Sequence, residues 1–193
     1  MYTKLIDHIR KNVSELSILE ADMIKTHFHF SQIKNKDFFL NQGSKCNYAG
    51  FVLKGCFRNY VTSSEGKEVN TQFSFENWWI GDLGSFVNQE PAKVNIQALE
   101  NSDLLVITAN QYNSLLDTSP CFMEYTHKLR SNAHLSAVLR SSNLSENANT
   151  KYEILLEKFP KIETRISQKN IASYLQISPE ALSRLKAKLH LKS

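Results

Sequence analysis

The chain has 193 residues, 41% of them hydrophobic and 22% charged, which is enough for one large or two small domains with a real core and argues against wholesale disorder. No apolar run approaches the roughly 18 residues needed to cross a bilayer, and the mixed charges of residues 1–11 exclude a secretory signal, so a soluble, cytoplasmic protein is expected. The formal net charge of +4 lies wholly in the last 49 residues, where 9 Lys+Arg stand against 5 Asp+Glu, while residues 1–144 balance.

Residues 2–29 read as two short helices. Leu5, Ile6, Ile9 and Val13 recur at helical spacing; Ser17 with Glu20 forms a capping box ahead of Leu19, Met23, Ile24 and Phe28. From Ile33 to Thr108 short apolar runs alternate with turn signals: Phe38 to Leu40, Phe51 to Leu53, Cys56 to Val61, Val69 to Phe75, Val94 to Leu99 and Leu104 to Ile107. Close, regular spacing of such runs indicates an antiparallel sandwich or barrel. Cys46, Cys56 and Cys121 are an odd, scattered set without a C-x-x-C pair, so buried thiols are expected rather than a metal site or disulfides.

After Asn110 the helical period returns. A short helix spans about 111–116, and Pro120 opens a longer one with Phe122, Tyr125, Leu129, Ala133, Ala137 and Leu144 on one stripe. Its own domain or a symmetric partner helix must cover that stripe. The polar stretch around Asn143 is the most hinge-like part of the chain.

The last 49 residues carry the clearest signal. An amphipathic segment, Tyr152 to Phe159, ends at Pro160. Gln168 to Leu175 is a helix with Ile171, Ala172 and Leu175 on its apolar face. Gln176-Ile177-Ser178 is a turn, and Ser178 then caps a second helix with Pro179 at its first position and Leu182, Leu185 and Leu189 inward. Small Ala172, Ile177 in the turn and Leu182 suit two steeply crossing helices. The outward face of the second helix offers Glu180, Ser183, Arg184, Lys186, Ala187 and Lys188, the residue types that read base edges and hold phosphates. A small helical cap with an ordinary charged surface has the same pattern.

The chain resembles the Crp/Fnr superfamily of bacterial regulators, in particular its short Bacteroidetes-type members. Residues 43–61 resemble the start of that family's cyclic-nucleotide-binding β-roll, and Ser64-Glu65-Gly66-Lys67-Glu68 its central hairpin. Trp79-Ile80-Gly81-Asp82-Leu83-Gly84-Ser85-Phe86 is similar to the phosphate-binding cassette, and residues 168–188 to the helix-turn-helix. The resemblance implies an α+β protein: an N-terminal antiparallel, jelly-roll-like β-roll with flanking helices (1–118), a long dimerisation helix (119–144) and a C-terminal winged-helix or helix-turn-helix DNA reader (145–193). It places Pro179, Glu180 and Arg184 at base-contacting positions. The full expected DNA set is Lys169, Ser178, Pro179, Glu180, Ser183, Arg184, Lys186 and Lys188, with Lys169, Lys186 and Lys188 on phosphate.

Three departures from the family pattern matter. Family members that bind cyclic AMP pair its phosphate with an arginine followed by a serine, where this chain has Ala92 and Lys93. Asp82 stands at the position of the ribose-binding carboxylate, one methylene shorter than the usual Glu. Gln176 replaces the turn glycine at a cost of about 1 kcal/mol. The candidate effector pocket is thus Gly81, Asp82, Leu83, Gly84, Ser85, Ala92 and Lys93, with cyclic AMP not expected and no cofactor assigned. Little chain follows Leu189, so little room is left for a wing.

Other chemistry is poorly supported. His27 and His29 form a close pair without a further ligand, and His127 and His134 share a helical face. Trp78 and Trp79 with Phe73, Phe75 and Phe86 could line an apolar pocket, but aromatic core is the default. No nucleophile elbow, P-loop or H-E-x-x-H occurs, so no catalytic residue and no metal ligand is assigned. The expected function is a homodimeric transcription regulator that reads a pseudo-palindromic duplex, with RNA polymerase as a further partner and no membrane. The alternative is a small-molecule-binding β-roll module whose C-terminal helices make protein contacts.

Overall fold

The computed structural model describes residues 1–142 and 146–190, and every structural statement below concerns those residues. The chain forms two compact units: Met1–Asn59 with Phe73–Leu135, and Tyr60–Gln72 with the chain from Ser136 onward.

The first unit opens with α1 (Thr3–Arg10) and α2 (Ile18–His27). The capping box is present: the Glu20 backbone N–H donates to Ser17 Oγ, and the Glu20 carboxylate accepts from Ser17. Glu20 does more than the local pattern foretells. Its Oε1 also accepts from Ser119 Oγ and the Cys121 N–H, which ties the start of the later long helix to α2.

The strands are β1 (His29–Ile33), β2 (Phe38–Leu40), β3 (Tyr48–Lys54), β4 (Phe57–Thr62), β5 (Glu68–Ser74), β6 (Trp79–Ile80), β7 (Asn95–Ala98) and β8 (Ser102–Thr108). They form two four-stranded sheets, β1-β8-β3-β6 and β2-β7-β4-β5. In the first, β8 pairs antiparallel with both neighbours, from His29 opposite Val106 to Ile33 opposite Ser102, and from Tyr48 opposite Thr108 to Val52 opposite Leu104. Successive strand residues face opposite ways, yet Phe51 to Leu53 and Leu104 to Ile107 are all buried, so this sheet is covered on both faces. Leu5, Ile6 and Ile9 of α1, Ile24 of α2 and Leu40, Phe57, Ile96 and Ala98 belong to the same core.

A six-residue helix, α3 (Leu83–Asn88), follows β6, and α4 (Ala109–Thr118) follows β8. The long helix α5 runs over Pro120–Ser142, with Ser119 Oγ accepting from the Phe122 N–H at its start. Phe122 and Tyr125 are fully buried in the core of the first unit, whereas Ala133, Leu135 and Ala137 to Leu139 are exposed. The apolar stripe read from the sequence therefore divides: Phe122, Tyr125 and the partly buried Leu129 serve the core of the first unit, and Leu144 lies outside the described residues.

The second unit is helical apart from its share of the β4–β5 hairpin. It contains α6 (Ala148–Lys158), α7 (Ile162–Arg165), α8 (Gln168–Leu175) and α9 (Pro179–His190) around Tyr152, Leu155, Ile162, Ile166, Ile171, Ala172, Leu175, Leu182 and Leu185. The α8–α9 pair is a helix-turn-helix, and among the described residues no strand follows α8. The sequence reading did not separate β1, β6, α3 and α7. Each is short, and α3 sits inside a glycine-containing stretch that reads locally as a turn.

Candidate nucleic-acid interface and effector cassette

The α8–turn–α9 element is built locally. Ser167 caps α8 by accepting from the Asn170 N–H, and the turn is closed by the Ile177 N–H donating to Ala172 O at 3.0 Å. Gln176 sits in the left-handed region at φ 58°, as its position in place of a glycine requires. Ser178 Oγ then accepts from the Ala181 N–H at 3.1 Å and starts α9, which buries Leu182 and Leu185.

The opposite face of α9 presents Pro179, Glu180, Ser183, Arg184, Ala187 and Lys188, all exposed, and Lys169 is exposed in the first turn of α8. Positions 180, 183, 184 and 187 fall on one side of a helix. The Ser178 hydroxyl and the Glu180 backbone N–H, with Arg184 nearby, hold the Glu180 carboxyl below the usual carboxylate range, so this face is zwitterionic at neutral pH.

Lys186 departs from its expected place. Its side chain is only 18% exposed, and Nζ lies 2.5 Å from Glu163 Oε1. The same carboxylate oxygen accepts from the hydroxyl of buried Tyr152. The ammonium thus points into the protein side of α9, where the sequence reading had put it outward onto phosphate.

A second cluster escaped the sequence altogether. Asn70, buried on β5, donates through Nδ2 to Asn170 O at 3.0 Å, and its N–H donates to Ser173 Oγ at 3.1 Å. The Ser173 hydroxyl in turn donates to Glu68 O at 3.0 Å. The hairpin therefore grips α8 through Asn170 and Ser173. A separation of 100 residues leaves no periodic signal to find.

The cassette residues lie together in the first unit but are engaged with one another. Asp82 caps α3: its Oδ1 accepts from the Ser85 N–H at 3.1 Å and its Oδ2 from the Lys93 N–H at 2.8 Å. Ser85 is buried, donating to Glu90 O and accepting from the Cys46 N–H. Ala92 is buried in a two-way bridge, its N–H donating to Ser44 O and its O accepting from the Gly43 N–H. Gly81 is at φ 148°, while Leu83, Gly84 and Lys93 are exposed. A cyclic phosphate at this place would meet a methyl group at 92, one flexible ammonium at 93 and a carboxylate already held by two amides.

The aromatic residues pack edge to face as core: Trp79 on Phe28 and Phe51, Phe86 on Tyr112, and Tyr112 on Phe122. Cys46, Cys56 and Cys121 are buried thiols, and burial, followed by the nearby Glu20 and Glu124, pushes Cys121 up to about 11. His27 Nδ1 lies 2.8 Å from Met23 O at the end of α2, and His29 Nε2 lies 2.8 Å from Gln111. Among the described residues no group of three or more His, Cys, Asp or Glu side chains could hold a metal, and no helix is long and apolar enough to cross a membrane.

Comparison with known proteins agrees with this architecture. Residues 30–119 match the family described as the cyclic nucleotide-binding domain. The cAMP-activated global transcriptional regulator CRP of Salmonella typhimurium is 22% identical over 95 residues, covering 49% of this chain and 45% of that protein, so the match spans less than half of the curated relative. Among solved structures, the c-di-GMP responsive global regulator CLP of Xanthomonas campestris superposes with a TM-score of 0.73 at 16% identity, covering 91% of this chain and 93% of that one. FixK2 of Bradyrhizobium japonicum gives 0.71 at 14% identity, covering 86% and 85%. The class is a cyclic-nucleotide-binding β-roll joined to a helical C-terminal unit. In fold the chain is similar to these regulators, and residues 30–119 carry the match to the cyclic nucleotide-binding domain.

Proposed function

We propose that this chain is a DNA-binding transcription regulator that acts as a homodimer on a pseudo-palindromic duplex, with a sensor domain that does not respond to cyclic AMP. The observation that carries the reading is the α8–turn–α9 element, whose second helix buries Leu182 and Leu185 and presents Glu180, Ser183, Arg184 and Lys188 outward. Arg184 would pair bidentately with guanine and Glu180 would accept from cytosine N4, while Ser178, Ser183, Lys169 and Lys188 would hold backbone phosphates. Lying in the last 49 residues, the excess positive charge favours that end for a polyanion. The exposed apolar side chains of α5 supply a face for a second copy, which would set two reader helices roughly 34 Å apart. The indifference to cyclic AMP rests on Ala92 and on the engaged carboxylate of Asp82. A soluble, cytoplasmic setting and contact with RNA polymerase belong to the same reading; no catalytic step is assigned to any residue.

Fluorescence anisotropy of labelled promoter duplexes from the gene's own neighbourhood tests the proposal, at two salt concentrations and with or without cyclic AMP. Specific binding that weakens steeply with salt and ignores the nucleotide is expected, and Arg184→Glu should abolish the specific part. Retention of specific binding by that variant would end the assignment of base reading to α9.

A further inference from the structure

We propose that Lys186 is a positioning residue that, with Glu163 and Tyr152, sets the orientation of α9 for base reading, and that it does not contact DNA phosphate. The inference rests on the DNA-binding reading above and deepens it. Three elements meet at one carboxylate oxygen: the Tyr152 hydroxyl from α6, Glu163 itself on the single-turn α7, and the Lys186 ammonium from α9.

Each partner is held for this task. Tyr152 is 2% exposed, and burial, followed by the hydrogen bond to Glu163, pushes its hydroxyl well above the usual range, so it remains a donor. The turn that presents Glu163 is anchored next door by Ile162, which is 1% exposed. Lys186 follows Leu185 directly and lies one helical turn after Leu182, which puts it on the flank of the buried face. The outward set at 180, 183, 184 and 187 lies on the other side. An ammonium paired with a partly buried carboxylate could reach a phosphate only by abandoning that carboxylate, which would itself repel the phosphate.

What the bridge provides is azimuth. Leu182 and Leu185 are apolar contacts that tolerate small rotations of α9, whereas an ion pair and a hydrogen bond to one oxygen do not. Bidentate base recognition by Arg184 demands placement to about 0.5 Å and 10–20°. Loss of the bridge should therefore spoil base reading before it spoils non-specific phosphate attraction.

The test uses the full chain with two labelled duplexes, one selected from a randomised pool by the unmodified protein and one with that sequence scrambled. Affinities are measured across a salt series for Lys186→Met, Lys186→Arg, Glu163→Gln, Tyr152→Phe and, as a phosphate control, Lys188→Met. All binding is measured well below each variant's melting temperature; Tyr152→Phe keeps the ring and guards against a variant that fails to fold. Lys186→Met, Glu163→Gln and Tyr152→Phe should weaken binding to the selected duplex about tenfold, the size of one spoiled base contact, and leave the scrambled duplex and the salt slope unchanged. Lys186→Arg should restore most of the loss, and Lys188→Met should weaken both duplexes and lower the salt slope by about one. A fall in salt slope for Lys186→Met would make it a phosphate contact and overturn the proposal. An unchanged ratio between the duplexes would reduce the bridge to stability alone, with the same result. Absence of salt-dependent binding by the unmodified protein would overturn the DNA reading itself, and this inference with it.

Discussion

Gly55 shows how a single atom can be decisive. It lies at φ +111°, between β3 and β4, and a Cβ there would fall 2.0 Å from Ser102 Oγ and 2.9 Å from Ser102 Cα on β8. Both the backbone conformation and the space exclude a side chain. Gly55→Ala should therefore cost about 3 kcal/mol in a urea melt; a loss below about 1 kcal/mol would show that the strands part easily here. His8 makes a subtler demand. Trp79 Nε1 donates to Tyr125 Oη at 2.8 Å, which leaves the hydroxyl's own proton for His8 Nδ1, also at 2.8 Å. The network assigns His8 as a neutral acceptor at Nδ1. Burial, followed by the nearby Lys11, lowers its pKa below the ordinary value near 6.5. Between those two values the unfolded chain binds more protons than the folded one, so stability falls as pH drops through 6.5 and levels off below the folded pKa. Melts at pH 8, 7, 6 and 5 should show this loss in the natural protein and a flatter profile in His8→Asn. Parallel profiles would dismiss His8 as the sensor of that range.

At the level of elements, legibility followed the range of the interactions. The α8–turn–α9 pair could be read because its signals lie within twenty residues: the Ser178 cap, Pro179 and the apolar spacing of Ile171, Leu175, Leu182 and Leu185. The Ser17 capping box was equally local. By contrast, the Asn70 grip on α8, the Glu20 tie to the start of α5 and the inward turn of Lys186 depend on partners 100, 99 and 23 residues away, and residue type alone gives no hint of them. Lys186 was misplaced for a further reason. A lysine on the flank of an apolar stripe is ordinarily drawn outward by hydration, and only the carboxylate of Glu163 reverses that preference. The turn between the helices gives an element-scale prediction. Gln176 occupies φ 58° and ψ 39°, which Asn or Gly adopts readily and a β-branched residue does not. Gln176→Asn should leave thermal stability within about 0.5 kcal/mol, and Gln176→Ile should cost about 2 kcal/mol. Equal melting temperatures for the two variants would mean that the turn is not held in this conformation in solution.

Across the whole molecule, the long helix α5 presents a question that its own domain does not answer. Phe122 and Tyr125 are spent on the core of the first unit, but Leu135, Val138 and Leu139 are 60%, 51% and 63% exposed, at positions i, i+3 and i+4, with exposed Ala133 and Ala137 beside them. Fully burying three such side chains is worth about 1.5–3 kcal/mol each, and a two-fold axis through the helix counts every one twice. Small alanines at 133 and 137 permit close approach of the partner backbone. A second copy is the occupant that the proposed palindromic site requires, because two reader helices must be held at a fixed separation. Leu135→Glu with Leu139→Glu would place two carboxylates opposite their own mates across such an axis. Sedimentation equilibrium at micromolar concentrations should therefore give twice the chain mass for the natural protein and the chain mass for the double variant. The variant should also lose affinity for a full palindrome far more than for a half-site, since its reader helices are untouched. A natural protein that sediments as a single chain at tens of micromolar, without DNA, would refute α5 as a constitutive dimer seam.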